Sequence, residues 1–190
     1  MIVAFLGESV KEYQAKYQQL LAELKVICPI CNHKCHNHGW YKRKTCNGDE
    51  TIIIKILRLK CTNCNRTHAV IPDMLRPKAR YLQQIREKAV TACHIMTVPI
   101  EKATIKGQAA ETTRRWLKQF KDKLLTVVPA MGSILARYGQ YDTIPKNESY
   151  CQLVVLSRRL TAILGGIPEG TSFFGLINIF LSTHGIQIWI

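Results

Sequence analysis

Residues 28–64 read CPICNHKCHNHGWYKRKTCNGDETIIIKILRLKCTNC. Cys28 and Cys31 form one Cys-x-x-Cys pair, Cys61 and Cys64 another, and each such turn offers two thiolates that converge on one ion. The 29 residues between the pairs are strand-like. Short β-prone runs at Trp40 to Thr45 and Thr51 to Leu59 flank an Asn47-Gly48-Asp49 turn signal, and a third run follows at His68 to Ile71. A helix ending in histidines, as a classical finger needs, does not occur there. The stretch therefore predicts a small three-stranded zinc ribbon over residues 27–76, closed by one Zn2+ on Cys28, Cys31, Cys61 and Cys64. Four thiolates leave no coordination position for water, so the ion is expected to be structural. Its binding would supply the energy that so small a sheet lacks, about 10–16 kcal/mol in comparable peptides.

His33, Cys35, His36, His38, Cys46 and His68 crowd the same region. Cys35, His38 and Cys46 are the set that a second metal would use, although no second pair has ligand spacing. Loop histidines and cysteines beside such a turn more often orient the ligands or face solvent. Cys93 and Cys151 fall on apolar helix faces, where free cysteine acts as a small core residue.

Outward from the ribbon the pattern is helical. Residues 8–26 place Val10, Tyr13, Tyr17, Leu20 and Leu24 at helical intervals with Ser9 as N-cap, giving an amphipathic lead-in helix over 1–26. From Pro77, Tyr81, Ile85, Ala89, Val90 and Cys93 trace one helix face; a second helix opens at Pro99 and stops near Gly107, and a third runs from Ala110 to Leu125. Pro129 to Pro145 is turn-rich and is expected to be a linker within 129–148. Beyond it two apolar helices, 149–164 and 171–182, flank Gly165-Gly166-Ile167-Pro168. The fold class is thus α+β: a zinc ribbon, a helix-turn-helix-like three-helix region over 77–128, and an apolar helical pair over 149–190.

Lys and Arg number 27 against 13 Asp and Glu, and the excess is +8 in residues 1–80, +5 in 81–130 and only +1 in 131–190. A basic front two-thirds suits a polyanion, because each phosphate neutralised releases condensed counterions. Double-stranded DNA is the partner expected. Thr112, Arg114, Arg115 and Lys118 would face outward from the third helix while Trp116, Leu117, Phe120 and Leu124 face inward, as a recognition helix requires. Arg suits bidentate guanine contacts and Lys suits phosphate. Lys42, Arg43 and Lys44, next to Trp40 and Tyr41, would add a basic stripe on the ribbon. Lys102 and Thr113 stand where a helix-turn-helix usually carries apolar residues.

Cys-Pro-Ile-Cys at 28–31, His38-Gly39-Trp40-Tyr41-Lys42-Arg43, and Cys61-x-x-Cys64-x-x-Thr67-His68-Ala69-Val70-Ile71-Pro72 together resemble a bacterial zinc-ribbon family of unknown function. Its domain is similar to the zinc-ribbon and helix-turn-helix front ends of insertion-sequence transposases. The resemblance covers about residues 25–125 and implies DNA binding connected with mobile elements, with the four cysteines as metal ligands. Arg43 and His68 match polar positions of the family, for which no role follows.

A transposase also needs three carboxylates holding two magnesium ions. After residue 130 only Asp142, Glu148 and Glu169 remain, in too short a stretch for such a nuclease fold, so a non-enzymatic accessory or regulatory protein, or the front of a longer enzyme, is expected. Two other classes fit the same sequence: an adaptor whose ribbon and apolar C-terminal helices grip protein partners, and an RNA-binding zinc ribbon; in the DNA-binding reading those helices are expected to be buried inside the protein or in a homodimer. No small-molecule substrate is expected. The first residues carry no basic region ahead of their apolar run, which predicts a cytoplasmic chain, and the longest uncharged run, 171–190, is too often interrupted by polar residues to span a membrane.

Overall fold

In the computed structural model, which describes residues 1–105, 107–140, 148–165 and 169–190, the architecture grows from one long hairpin. Strands β2 (Cys35–Asn47) and β3 (Glu50–Cys61) pair antiparallel from Asn47↔Glu50 to Cys35↔Cys61, around a two-residue turn in which Gly48 has φ +69°. The register slips between Asn37 and Trp40, so the strand faces exchange there. Strand β4 (Thr67–Pro72) adds to β3, but only along Leu57 to Lys60.

The sheet has a fourth strand that the sequence pattern does not announce. β1 (Ile2–Ala4) pairs parallel with β4, giving the order β1-β4-β3-β2 in place of the three strands expected. Three residues are too few to display an alternating pattern. Their outer edge is satisfied from the far end of the chain: the Ser182 hydroxyl accepts from the Val3 N–H at 3.0 Å and lies 3.2 Å from the Val3 carbonyl.

Helix α1 (Val10–Glu23) starts where expected. Ser9 Oγ accepts the Glu12 N–H, capping the first turn, and the Glu12 carboxylate accepts the N–H of Glu8 just before the cap. Its buried Tyr13 and Tyr17 pack on the sheet. Beyond the reach of β4, the carbonyls of β3 would lie open; Tyr13 Oη donates to that of Lys55 (2.7 Å) and Gln14 Nε2 to that of Ile53 (3.0 Å). The helix thus covers an unpaired strand edge, which would otherwise template association.

The helical half comprises α2 (Gln83–His94), α3 (Ile100–Ala103), α4 (Ala110–Arg137), α5 (Ser149–Leu164) and α6 (Phe173–Thr183). Two expectations are corrected. The second helix of the three-helix region is a single turn, because from Thr104 the backbone is extended. The third does not end at Leu125, and the linker does not begin at Pro129: α4 continues through that proline. Losing one amide and straining one turn costs about 3 kcal/mol, but Val127, Val128, Met131, Ile134 and Leu135 continue the buried stripe of Trp116, Phe120 and Leu124. Each such side chain contributes about 1.5–3 kcal/mol on burial. Proline also sits on the exposed side, as does Leu125, whose carbonyl loses its partner. Residues 141–147, with Asp142 and Pro145, and Gly166-Ile167-Pro168 lie outside the described residues.

The apolar tail belongs to the core. Phe174 stacks on Phe120 at 5.3 Å between ring centroids, Ile177 and Leu181 are buried with Leu153, Leu156 and Leu160 of α5, and the Glu87 carboxylate on α2 accepts the first amides of α6, those of Phe173 and Phe174. Among the described residues no helix is long and apolar enough to cross a membrane.

Asp73, between β4 and α2, is buried, and its Oδ1 has no hydrogen-bond partner among the described residues. Burial pushes its carboxyl up to about 7, against the pull of backbone amides at Asp73 and Met74. Because the folded value lies above the unfolded one, stability is full below the ordinary carboxylate range and falls as pH rises toward about 7. Asp73→Asn is therefore expected to leave stability at pH 4 nearly unchanged and to raise it at pH 8, by at most on the order of 4 kcal/mol, as read by denaturant titration at the two pH values.

Candidate metal centre

The two Cys-x-x-Cys turns lie at the open end of the hairpin, one entering β2 and the other leaving β3. They are built alike. In the first, the Cys28 N–H donates to the His33 carbonyl (2.8 Å) and Asn32 has φ +56°; in the second, the Cys61 N–H donates to the Arg66 carbonyl (2.9 Å) and Asn65 has φ +59°. Asparagine tolerates this left-handed region better than other side-chain-bearing residues. The sequence carries the signal, since both turns read Cys-x-x-Cys-Asn, a repeat that the cysteine spacing alone does not bring out. Lys34 ties the turns together: its carbonyl accepts both the Thr62 N–H (3.1 Å) and the Thr62 hydroxyl (3.0 Å).

The four sulfurs converge. Cys28 Sγ lies 3.7 Å from Cys64 Sγ and Cys31 Sγ 3.4 Å from Cys61 Sγ, and all four are within 4.8 Å of one another. A tetrahedral ion with bonds of about 2.3 Å to sulfur sets its ligands roughly 3.8 Å apart, so the cluster matches a four-thiolate metal site. Its electrostatics point the same way. Hydrogen bonding from the His33 amide first, then from neighbouring side chains, holds the Cys31 thiol low; at Cys64 the Arg66 amide pulls down, but burial and the thiols of Cys61, Cys31 and Cys28 outweigh it and push the group up. Crowded thiols resist joint ionisation, and a divalent cation among them removes the conflict.

A second group shares Cys28. Cys28 Sγ, Cys35 Sγ and a ring nitrogen of His68 also lie within 4.8 Å of one another, with His68 Nε2 3.3 Å from Cys28 Sγ. Burial keeps His68 below the usual imidazole range and pushes the Cys35 thiol up to about 11, the neighbouring Cys28 and Cys61 adding to the latter. Cys35 is thus not joined by His38 and Cys46. Cys35 pairs at the base of the hairpin and Cys46 near its tip, eleven residues along the strand, about 35 Å apart. Cys46 is buried there and its sulfur accepts from Arg80 Nε at 3.2 Å.

The basic residues divide by strand and helix geometry. Lys42 and Lys44 are exposed on one face of β2, opposite Lys55 and Ile53 of β3, with Lys55 Nζ 4.9 Å above the half-exposed Trp40 ring. Arg43 points the other way: it is half-buried and its guanidinium donates to the carbonyls of Arg76 and Ala79. On α4, Arg114, Arg115 and Lys118 are exposed and Thr112 is half-buried, while Trp116, Phe120 and Leu124 are buried. Thr113 is buried too, its hydroxyl meeting that of Thr104 at 3.0 Å and accepting from Gln108 Nε2 at 2.6 Å. A polar residue is admitted there because its hydrogen bonds close within the turn ahead of α4.

Residues 28–116 match the family model of a domain of unknown function, DUF6431. The match begins at the first cysteine and ends at Trp116, so it takes in both turns, the hairpin and the first turns of α4, close to the span of the resemblance read from sequence. No curated protein and no solved structure matches the chain.

Purified under reducing conditions without chelator, the protein is expected to carry one thiophilic divalent metal per chain by elemental analysis. Cys61→Ser, which removes a wholly buried ligand, should lose that metal and the circular-dichroism signal of the sheet, whereas Cys151→Ser, at an exposed position, should change neither.

Proposed function

We propose that this protein is a DNA-binding module whose ribbon is folded by one structural Zn2+, serving as an accessory or regulatory factor of a mobile element or as the non-catalytic front of a transposase. The observation that carries the reading is the segregation of charge on α4: Arg114, Arg115 and Lys118 are exposed along a helix whose opposite side is wholly in the core. That is the division a helix needs to enter a major groove. Lys42, Lys44 and Lys55 beside Trp40 add a second cationic face suited to phosphate. Arg43, its donors turned inward, positions the 76–79 loop instead.

Zinc is favoured because it accepts four thiolates in a tetrahedron without redox change. With that sphere filled, the ion offers no site for water activation, which supports a binding role over an enzymatic one. Burial of α6 within the chain's own core favours the tail as a structural closure, although dimers reading paired half-sites remain compatible with exposed Ile163 and Leu164 at the end of α5. An adaptor role has one feature in its favour, an open apolar cavity of about 640 Å3 bordered by Val26, Ile27, Tyr138, Leu164 and Ile179.

If α4 reads bases, Arg114→Ala and Arg115→Ala will each cost about 1–3 kcal/mol on a site selected from random duplexes and less on bulk DNA. Lys42→Ala will weaken both equally and lower the slope of log K against log salt by about 1. Binding that ignores salt, measured by fluorescence anisotropy between 50 and 200 mM, would remove DNA as the partner and leave the adaptor reading.

A further inference from the structure

We infer that His68 is a positioning residue of the metal centre: its Nε2–H donates to the Cys28 thiolate and holds that sulfur, and its charge, in place for the ion. The inference rests on the reading of the four cysteines as a metal site. His68 sits on β4 opposite Leu59 of β3, so the strand that leaves the second turn carries it, yet its ring reaches the first turn, with Nε2 3.3 Å from Cys28 Sγ. One side chain therefore links the two halves of the ligand set.

Cys28 needs such a partner more than its companions do. It is wholly buried, so water does not reach its sulfur, whereas Cys31 and Cys64 are partly exposed and Cys61 Sγ accepts the Asn63 amide at 3.4 Å. Four thiolates around a divalent ion leave two negative charges in a largely buried site, and hydrogen bonds to sulfur are what stabilise that excess. A neutral imidazole has one N–H, and His68, 3 % exposed and fixed in the sheet, directs it without freedom to turn away. Ligation by His68 is the competing role. The four sulfurs already match a tetrahedron, and the group of Cys28, Cys35 and His68 offers only two donors that the first site does not use.

The test compares full-length wild type, His68→Leu, His68→Gln and His68→Asn. Leu fills the volume without a donor, Gln places an N–H near the imidazole position, and Asn is too short to do so. Zinc affinity by chelator competition should fall about 10- to 100-fold in His68→Leu, recover largely in His68→Gln, and stay low in His68→Asn. With Co(II) as probe, the sulfur-to-metal charge-transfer bands should move to lower energy in His68→Leu and return in His68→Gln. Wild-type affinity and bands in His68→Leu would overturn the inference, as would equal affinities in the Gln and Asn variants should Leu not fold. Two ions in wild type and one in His68→Gln would overturn it in favour of ligation. Failure of wild type to bind zinc or cobalt at all would instead overturn the metal-centre reading itself.

Discussion

A long antiparallel hairpin with nothing to hold its open end frays, because two strands bury too little to stay together in water. Here the open end of β2 and β3 is where the two Cys-x-x-Cys-Asn turns meet, and the pairing of the whole sheet depends on that closure. Cys35↔Cys61 is the last pair of the ladder, the first turn feeds one strand and the second leaves the other, and β4 begins only three residues after Cys64. Fixing four sulfurs at tetrahedral spacing therefore fixes the register of β3 against both its neighbours. It also sets the place of β1, which pairs with β4 alone among the strands.

The opposite end of the hairpin is secured without metal. The Cys46 N–H donates to the Arg80 carbonyl (2.7 Å), the Leu82 N–H donates to the Cys46 carbonyl (3.0 Å), and the Thr45 hydroxyl donates to the Arg80 carbonyl (2.8 Å). At the tip, Gly107 lies so close to Asp49 that a Cβ on it would sit 2.7 Å from the Asp49 Cβ, and its φ of +82° excludes most other residues independently. The sheet and the helical core, each with its own apolar cluster, are thus joined at the hairpin tip and through Leu82, which packs against both.

What the sequence discloses follows from how local each signal is. The four cysteines, the hairpin turn and the Ser9 cap are short patterns whose meaning does not depend on distant residues, and the structure places each as read. The alternation that separates Lys42 and Lys44 from Arg43 was equally local, since neighbouring strand residues face opposite ways, but reading the three as one basic stripe passed over it. β1 and the length of α4 were not legible in this way. Ile2–Ala4 becomes a strand because Ser182, 179 residues on, satisfies Val3, and Pro129 stays helical because the apolar stripe beyond it finds a core to enter. His68 and Cys35 were visible as residue types, but only the crossing of β4 beneath the first turn brings them to Cys28.

The cysteine cluster closes only one end of the hairpin, and other contacts set the sheet against the helices. The cationic face of β2 and β3 and the cationic face of α4 lie on different cores, and their mutual placement is set at several points: Asp49 against Gly107 at the hairpin tip, Arg43 on the carbonyls of Arg76 and Ala79, and Ser182 of α6 on Val3 of β1. A rigid hairpin transmits position between its ends; a frayed one does not. The tip is docked by hydrogen bonds to residues 80 and 82 and the helical core packs on itself, and neither involves the cysteines of the cluster. Because those contacts are made on folding, the two faces are held in a fixed relation, and the entropy of aligning them would already be met for any partner that spanned both.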